Sequence, residues 1–187
     1  MNVGILLLAA GESARYRAAC GRHKLLERIE GEAMLARCYR IAVQSGLPVA
    51  VVLRPEPAAL RRCVTGAQQI VLPSAGIGDS VAAGVRATSG WDGWLIMLAD
   101  MPWLQPETLR QVAQALREHS RVRACWQGQP GHPVGFSRAC YPQLATLAGE
   151  TAARDLLKQG GVHLLATRDA GAVRDIDLPS AWLNKES

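Results

Sequence analysis

Uninterrupted apolar runs alternate along the chain with segments in which apolar residues recur every three or four positions. The clearest runs are Val3 to Ala9 and Trp94 to Ala99, neither of which contains a charged residue. Such runs predict strands that are covered on both faces, as in a parallel sheet. Shorter runs predict further strands at Pro48 to Leu53, Gln69 to Leu72, Arg121 to Trp126, Pro133 to Ser137 and Val162 to Ala166.

Helices are predicted between these strands from apolar positions at the 3.6-residue spacing of one helix face. One helix carries Met34, Leu35, Cys38, Ile41 and Ala42 on that face, and others are predicted at Glu56 to Val64, Gly78 to Ala87, from Pro106 onwards, and Thr151 to Lys158. Strands and helices that alternate in this way favour an α/β fold with a doubly wound, mostly parallel sheet. The weaker alternation after residue 120 predicts a mixed C-terminal flank with antiparallel strands.

Length and composition indicate one globular domain over residues 1–187. Apolar residues make up 49% of the chain and charged residues 20%, which is ordinary for a folded domain. The apolar runs are far shorter than the ~20 residues of a membrane span, and no basic leader of a signal peptide is visible. Five scattered cysteines without a C-x-x-C pair favour free thiols in a reducing cytoplasm.

The net charge of +5 raises the question of an anionic partner. The 21 lysines and arginines are dispersed along the chain, whereas nucleic-acid binding proteins cluster them, so we expect no nucleic-acid partner. The same charge balance suits a small anionic substrate.

A loop of small and basic residues follows the first predicted strand. It runs Leu8-Ala9-Ala10-Gly11-Glu12-Ser13-Ala14-Arg15 and continues through Arg17 and Arg22 to Lys24. Small residues beyond a strand end let backbone amides approach phosphate oxygens, but a solvated basic loop explains the pattern equally well. The P-loop motif is absent, because it needs a glycine directly before its lysine and His23 precedes Lys24. The dinucleotide-binding pattern is absent as well, because Val81 stands where a third glycine would have to follow Gly76 and Gly78.

Six segments in order resemble the signature motifs of nucleotidyltransferases of the molybdenum cofactor type, within the MobA-like NTP transferases. They are LLLAAGESAR through HKLL, Gly76 to Gly84, Leu98 to Pro102, Gly131 to Val134, Gly149 to Arg154, and Asp175 to Pro179. The resemblance implies a Rossmann-like fold of the nucleotide-diphospho-sugar transferase type and a magnesium-dependent enzyme. The most similar type joins CMP to molybdopterin, and Ala9-Ala10-Gly11 is typical of members that use CTP or UTP.

Carried onto this chain, the resemblance implies a nucleotide site and a set of catalytic residues. The nucleotide would be bound by Leu8, Ala9, Ala10, Gly11, Glu12, Ser13, Lys24, Gly76, Ser80 and Gly84. Lys24 and Arg15 would stabilise charge on the pyrophosphate leaving group. Lys24 follows Arg15 by nine positions, more than in the family, so whether Arg17 or Arg22 also reaches the phosphates stays open.

Aspartates at two places are candidate ligands of the magnesium ion. Asp100 directly follows the second buried run, and its position together with the resemblance favours metal binding over a structural role. Asp175 and Asp177 stand two positions apart, so an extended backbone turns both side chains to one face. Either could complete the site with Asp100, and we favour Asp177.

Two further interpretations stay open beside a cytidylyltransferase that binds CTP and molybdopterin. One is a nucleotidyltransferase that acts on another phosphorylated acceptor, such as a sugar phosphate. The other is a carrier that brings molybdopterin to a molybdenum hydroxylase without catalysis. In each case we expect a cytoplasmic protein without a membrane partner.

The basic segment Tyr16 to His23 is expected to be a poorly ordered lid that closes over the nucleotide, because its like charges repel. His132 is expected to shape the pocket or to pack rather than act as a base. A phosphate monoester is already anionic at neutral pH, so the acceptor needs no base.

Overall fold

A computed structural model of the protein describes residues 1–73, 76–150 and 152–179, with backbone alone for residues 152–154. The strands are β1 (Val3–Ala9), β2 (Arg28–Ile29), β3 (Glu32–Ala33), β4 (Val49–Leu53), β5 (Gln68–Val71), β6 (Gly93–Leu98), β7 (Arg121–Trp126), β8 (Gln129–Ser137) and β9 (His163–Ala166). The α-helices are α1 (Ala14–Cys20), α2 (Met34–Gln44), α3 (Ala58–Arg62), α4 (Ile77–Ala87), α5 (Pro106–Ala115), α6 (Tyr141–Leu144) and α7 (Ala152–Lys158). Short 3-10 turns lie at Lys24–Leu26, Arg138–Cys140 and Ala170–Val173. Thr151, where the last helix is predicted to begin, lies outside the described residues.

Seven of the described strands form one mixed sheet in the order β5-β4-β1-β6-β8-β7-β9. Strands β5, β4, β1 and β6 run parallel, whereas β8 is antiparallel to both β6 and β7. The predicted Rossmann-like sheet with a mixed C-terminal flank is confirmed. The strand order reverses at β1, so the carboxyl ends of β1 and β6 meet at a topological switch point.

Alternate residues of β1 enter two hydrophobic layers on opposite faces of the sheet. Ile5 and Leu7 belong to the layer that includes α2 and α5. Leu6 and Leu8 belong to the layer that includes α4 and α6. Each such buried side chain contributes ~2 kcal/mol to stability, so the end of β1 is a rigid base for the loop that follows.

The segment after β1 is a helix rather than the poorly ordered lid expected from its charges. Tyr16 in α1 is 1% exposed, and Cys20, one turn later, packs against the same hydrophobic layer. Gly21 ends the helix with a φ of 72°, and its N–H donates to the carbonyl oxygen of Arg17 at 2.7 Å. The expectation of a loosely anchored segment is therefore wrong, because a buried tyrosine holds it.

Strand β8 begins at Gln129, four residues before its predicted start at Pro133. Gln127 and Gly128 both have positive φ, 48° and 79°, as in the two-residue turns that join antiparallel strands. This tight hairpin brings Gln129 directly against the end of β7.

In the part of the chain that the structure describes, no helix has the length and apolar character needed to cross a membrane. The five cysteines are free thiols.

Candidate active site

A cleft of about 480 Å³ opens where the carboxyl ends of β1 and β6 lie side by side. It is lined by Leu8, Ala9, Ala10, Gly11, Glu12, Ser13, Ala14, Arg15, Tyr16, Lys24, Leu25, Gly76, Ile77, Ser80, Leu98, Ala99, Asp100, Glu150 and Asp177. This lining includes every residue that the sequence predicts for the nucleotide, the leaving group or the metal, apart from Gly84. The loop after β1, the start of α4 and the end of β6 therefore meet around one space.

Gly84 lies in a helix–sheet interface, which corrects its predicted place in the nucleotide site. A Cβ atom at Gly84 would come within 2.9 Å of a methyl group of Leu6 and 3.3 Å of one of Val52. Glycine is required here because α4 packs closely on β1 and β4. Ser80 stands one helical turn earlier, and only that turn faces the cleft.

A backbone contact with Gly149 holds the start of α4. The N–H of Gly78 donates to the carbonyl oxygen of Gly149 at 2.8 Å, and the N–H of Gly149 donates to the Asp79 carboxylate at 3.4 Å. Cβ atoms at Gly76 and Gly78 would lie 2.7 and 2.6 Å from the Gly149 backbone. Only glycine allows this approach, which also brings Glu150 into the cleft, a residue not predicted for the site.

Three carboxylates meet beyond the end of β6. One oxygen from each of Asp100, Asp175 and Asp177 lies within 4.8 Å of the others. Ile176 between the last two is fully buried, so Asp175 and Asp177 are both turned away from the core. The N–H of Ile176 donates to the carbonyl oxygen of Asp100 at 3.0 Å and so joins the two segments. Both C-terminal aspartates reach Asp100, and the preference for Asp177 stays a prediction.

Asp100 is the most enclosed of the three carboxylates. Its Oδ1 atom is buried and has no hydrogen-bond partner among the described residues, which is uncommon unless a ligand completes the site. Burial raises the pKa of this carboxyl, against the attraction of Lys24, which lowers it. A buried oxygen without a partner beside two further carboxylates is a donor set that fits Mg²⁺ or Mn²⁺.

Lys24 extends from its 3-10 turn into this acidic cluster. Its Nζ donates to Asp100 Oδ2 at 2.7 Å and to the carbonyl oxygen of Ile176 at 3.0 Å, and it lies 3.5 Å from Asp177 Oδ1. The side chain is only 15% exposed, and the next residue, Leu25, is buried in the core. The backbone at Lys24 is therefore anchored, and its ammonium group lies at the boundary between the cleft and the acidic cluster.

His23 supports the turn that carries Lys24. Its Nδ1 accepts from the N–H of Leu25 at 3.3 Å and lies 3.5 Å from the hydroxyl of Ser13. Burial, followed by the charges of Arg17 and Lys24, lowers the pKa of His23 to about 4. The ring therefore stays neutral at physiological pH and can accept this hydrogen bond.

The arginines after β1 divide between the cleft and the surface. Arg15 lines the cleft, and its guanidinium lies 3.4 Å from the Asp177 carboxylate. Arg22 forms an ion pair with Glu27, and neither Arg22 nor Arg17 is among the described residues that line the cleft. Of these three arginines, Arg15 is the one that lines the cleft.

Arg54, which follows β4, supports the small-residue loop. Its Nε donates to the carbonyl oxygen of Ala10 at 2.8 Å, and its guanidinium lies 2.9 Å from the Glu12 carboxylate. The ion pair offsets a negative charge that would otherwise repel an anionic ligand.

Asp169 is a buried carboxylate that the sequence did not single out. It is 2% exposed and accepts hydrogen bonds from the Gln105 N–H, the Thr108 hydroxyl and the Gly171 N–H at 2.8, 2.7 and 2.8 Å. These bonds join the start of α5 to the 3-10 turn that leads into the acidic cluster. No motif marks Asp169, because its partners come together only in the fold.

Trp103 lies near the acidic cluster, and His132 lies on the sheet. Trp103, which follows Asp100 by three residues, stacks under Arg174, whose guanidinium carbon is 4.4 Å from the ring centroid. His132 lies on β8, outside the described cleft lining, so of its two expected roles packing is the one that fits. Burial, with a smaller effect of Arg123, lowers the pKa of His132 to about 4.

Comparison with known sequences gives one family across most of the chain. A sequence profile described as the MobA-like NTP transferase domain matches residues 5–164. The purine catabolism protein PucB of Bacillus subtilis is 33% identical over an alignment of 196 positions, which covers 95% of this chain and 92% of that protein.

Solved structures share the fold over nearly the whole chain. Rv0371c of Mycobacterium tuberculosis is 25% identical with a TM-score of 0.84, covering 98% of this chain and 96% of that one. A manganese complex of Rv0371c is 24% identical with a TM-score of 0.82, covering 98% of this chain and 97% of that one. A CMP:2-keto-3-deoxy-manno-octonic acid synthetase solved with CTP is 14% identical with a TM-score of 0.76, covering 98% of this chain and 96% of that one. At this identity the similarity is one of fold alone.

Proposed function

The chain belongs to the MobA-like NTP transferase family, and from this we propose that it transfers CMP from CTP to molybdopterin with release of pyrophosphate. The observation that carries the proposal is the meeting of the loop Leu8 to Ser13, Lys24 and the carboxylates of Asp100 and Asp177 in one cleft. Such an enzyme must bind a triphosphate, hold a divalent metal and stabilise the leaving group. Each requirement has a matching group of residues here.

The triphosphate would lie along the loop after β1. The backbone amides of Ala10 to Ser13 would donate to its oxygens, and Arg15 would add a positive charge from the exposed side. Lys24 would contact the oxygens between the α- and β-phosphates, where negative charge develops as pyrophosphate leaves. A contact that strengthens in the transition state raises kcat rather than merely improving binding.

Asp100 and Asp177 would hold the magnesium ion. When bound, Mg²⁺ supplies a positive charge that both the attacking and the transferred phosphate can share. The buried Oδ1 atom of Asp100 supports this role, and so does the manganese bound by the similar Rv0371c protein. Asp175 would stay near the metal without binding it directly.

The terminal phosphate of molybdopterin would attack the α-phosphorus of CTP in line. Its oxygen is already anionic at neutral pH because the second pKa of a phosphate monoester is about 6, so no side chain needs to remove a proton. The protein would contribute mainly by placing the two phosphates, an effect that can be worth ~7 kcal/mol or more.

The base would be held between the loop after β1 and the start of α4. Ala9 and Ala10 leave their backbone accessible, and Ser80 lies across the cleft, so we expect contacts to the base or ribose there. The resemblance of Ala9-Ala10-Gly11 to CTP-using members supports cytosine. The CTP found in a synthetase of the same fold is consistent with this choice.

The acceptor is the least constrained part of the proposal. A 3-deoxy-manno-octulosonate cytidylyltransferase of Elusimicrobium minutum shares part of the sequence, and the CMP:2-keto-3-deoxy-manno-octonic acid synthetase shares the fold. Both favour a sugar acid or sugar phosphate as the second candidate. A molybdopterin carrier for a hydroxylase would need the cleft but no turnover. Free cysteines are consistent with a cytoplasmic location of the protein for either function.

The decisive experiment follows pyrophosphate release by the purified chain with CTP, Mg²⁺ and one acceptor at a time. Molybdopterin should give CTP-dependent turnover, whereas sugar phosphates should not. The Asp100→Asn variant is the matched control, and its rate shows the background. Turnover with a sugar phosphate alone would support the second candidate, and molybdopterin binding without pyrophosphate release would indicate a carrier.

A further inference from the structure

Lys24 occupies the acidic cluster in the manner of a bound cation. We propose that Lys24 is a built-in counter-ion of this cluster and moves to the triphosphate when the divalent metal binds. Metal and nucleotide would then bind cooperatively, because the metal displaces the ammonium group from the carboxylates and the triphosphate provides its new partner. The inference rests on the proposed function, which supplies the metal and the triphosphate.

The contacts of Lys24 are those of a cation that bridges anions. Its Nζ lies 2.7 Å from Asp100 Oδ2 and 3.5 Å from Asp177 Oδ1, with the Ile176 carbonyl oxygen at 3.0 Å as a third acceptor. An ammonium has three donors and no acceptor, so all three of its protons can be used within the cluster. In this position the Lys24 ammonium group has no further proton to donate to a phosphate.

A divalent metal would compete for the same oxygens. Mg²⁺ and Mn²⁺ need carboxylate oxygens at about 2.0–2.2 Å, and the two aspartates that would bind the metal are those that Lys24 contacts. An ammonium and a doubly charged ion on shared carboxylates repel each other strongly in this partly buried place. Binding of the metal therefore favours the departure of Lys24.

The cleft offers Lys24 one other class of partner. Its side chain also lines the cleft together with Gly11 and Ser13, where the triphosphate would lie. A lysine stem is flexible enough to redirect its head group without movement of the backbone, which Leu25 anchors in the core. The alternative partner is thus a phosphate oxygen, and a bound triphosphate would relieve the competition for the metal.

Arg15 is less suited than Lys24 to act as the counter-ion of the cluster, because it is far more exposed. The Arg15 side chain is 78% exposed and touches Asp177 alone in the cluster, so solvent screens its charge. Arg22 provides a control, because it carries the same charge nearby and is paired with Glu27 instead.

The test measures Mn²⁺ binding by electron paramagnetic resonance of the free ion, without turnover. Wild type, Lys24→Met, Lys24→Gln and Arg22→Met are titrated with and without a CTP analogue whose α,β-bridge is a methylene group. Without nucleotide, both Lys24 variants should bind Mn²⁺ at least ~10-fold more tightly than wild type, the scale of one hydrogen bond between charged groups. Arg22→Met should match wild type, and the analogue should tighten Mn²⁺ binding in wild type more than in the Lys24 variants.

The test distinguishes failure of the counter-ion role from failure of the proposed function. If wild type binds Mn²⁺ with the analogue but the Lys24 variants gain no affinity without it, the counter-ion role is wrong and the proposed function stands. If no protein binds Mn²⁺ under either condition, both proposals are wrong. Two variants of different polarity guard against misfolding of one, and circular dichroism of each confirms that the compared chains are folded.

Discussion

Ile176 donates its backbone N–H to the carbonyl oxygen of Asp100 at 3.0 Å, and this bond joins the last described segment to the end of β6. It places Asp175 and Asp177 beside a carboxylate that lies far earlier in the chain. The acidic cluster therefore depends on two separate segments, and substitutions in each can be compared.

Asp100→Asn should lower kcat by at least ~100-fold, the scale of losing one key electrostatic group, while the fold stays intact. Asparagine keeps the shape of aspartate but loses the charge that a metal needs. Steady-state pyrophosphate release measures the effect. Near-normal activity would remove Asp100 from the site. In the same assay, the milder of Asp175→Asn and Asp177→Asn identifies the residue that does not bind metal.

Asp169→Ala should lower the free energy of unfolding by about 3 kcal/mol, because three hydrogen-bond donors, two of them buried, lose their acceptor. It should also weaken Mn²⁺ binding, since the turn before the acidic cluster loses its anchor to α5. Urea denaturation and metal titration measure the two effects separately. Asp155→Ala, a change at an exposed ion pair, is the control. Unchanged metal affinity in a folded Asp169→Ala chain would leave Asp169 a stabilising residue alone.

Gly78→Ala should raise the KM for CTP several-fold, because its Cβ would lie 2.6 Å from the Gly149 carbonyl oxygen and displace the start of α4. Gly90→Ala is the matched control, since no described atom outside its chain neighbours lies within 4 Å of a Cβ there. Initial rates over a range of CTP concentrations check this. Equal KM values for the two variants would show that the contact with Gly149 does not shape the nucleotide site.

Stability should fall as the pH is lowered from about 6.5 towards 4, partly because of His132. The pKa of His132 is about 4 in the folded chain and near 6.5 when unfolded, so the unfolded chain binds more protons within this window. The contribution is complete above pH 6.5 and is worth at most about 3 kcal/mol, at 1.36 kcal/mol per unit.

Urea unfolding of wild type and His132→Gln across this pH range isolates that contribution. The loss of stability between neutral and acidic pH should be smaller in the variant, which has no imidazole at this position. Parallel curves for the two proteins would show that the pKa of His132 is not lowered in the folded chain.

CTP should be used well ahead of GTP if the loop Ala9-Ala10-Gly11 sets the choice of base. Single-turnover rates with each nucleotide and molybdopterin measure the preference directly. Equal rates, or faster use of GTP, would show that this part of the resemblance is misleading.

The elements that the sequence predicts best are those whose pattern is a local property. Strand β1 matches its predicted bounds because burial on both faces requires an apolar residue at every position. The start of α5 matches because Pro106 suits the first turn of a helix. Asp100 follows the end of β6 as predicted, because the apolar run before it marks the strand.

The elements that were missed depend on contacts between distant segments. Helix α1 has seven residues, and its only strong signal is the burial of Tyr16, which requires the neighbouring layer to be present. Asp169 and the acceptor role of His23 likewise arise from partners that the fold supplies. The resemblance predicts Gly84 for the nucleotide site, but a motif glycine can serve either a ligand or a helix–sheet contact, and spacing does not separate the two.

The arrangement of the acidic cluster also bears on the order in which its contacts can form. Lys24 and Asp100 both precede Asp175 and Asp177 in the sequence by a long stretch of chain. A nascent chain can therefore bring Lys24 to Asp100, across the ends of the neighbouring strands β1 and β6, before the other two carboxylates have been synthesised. The lysine would then be in place before the cluster that surrounds it is complete.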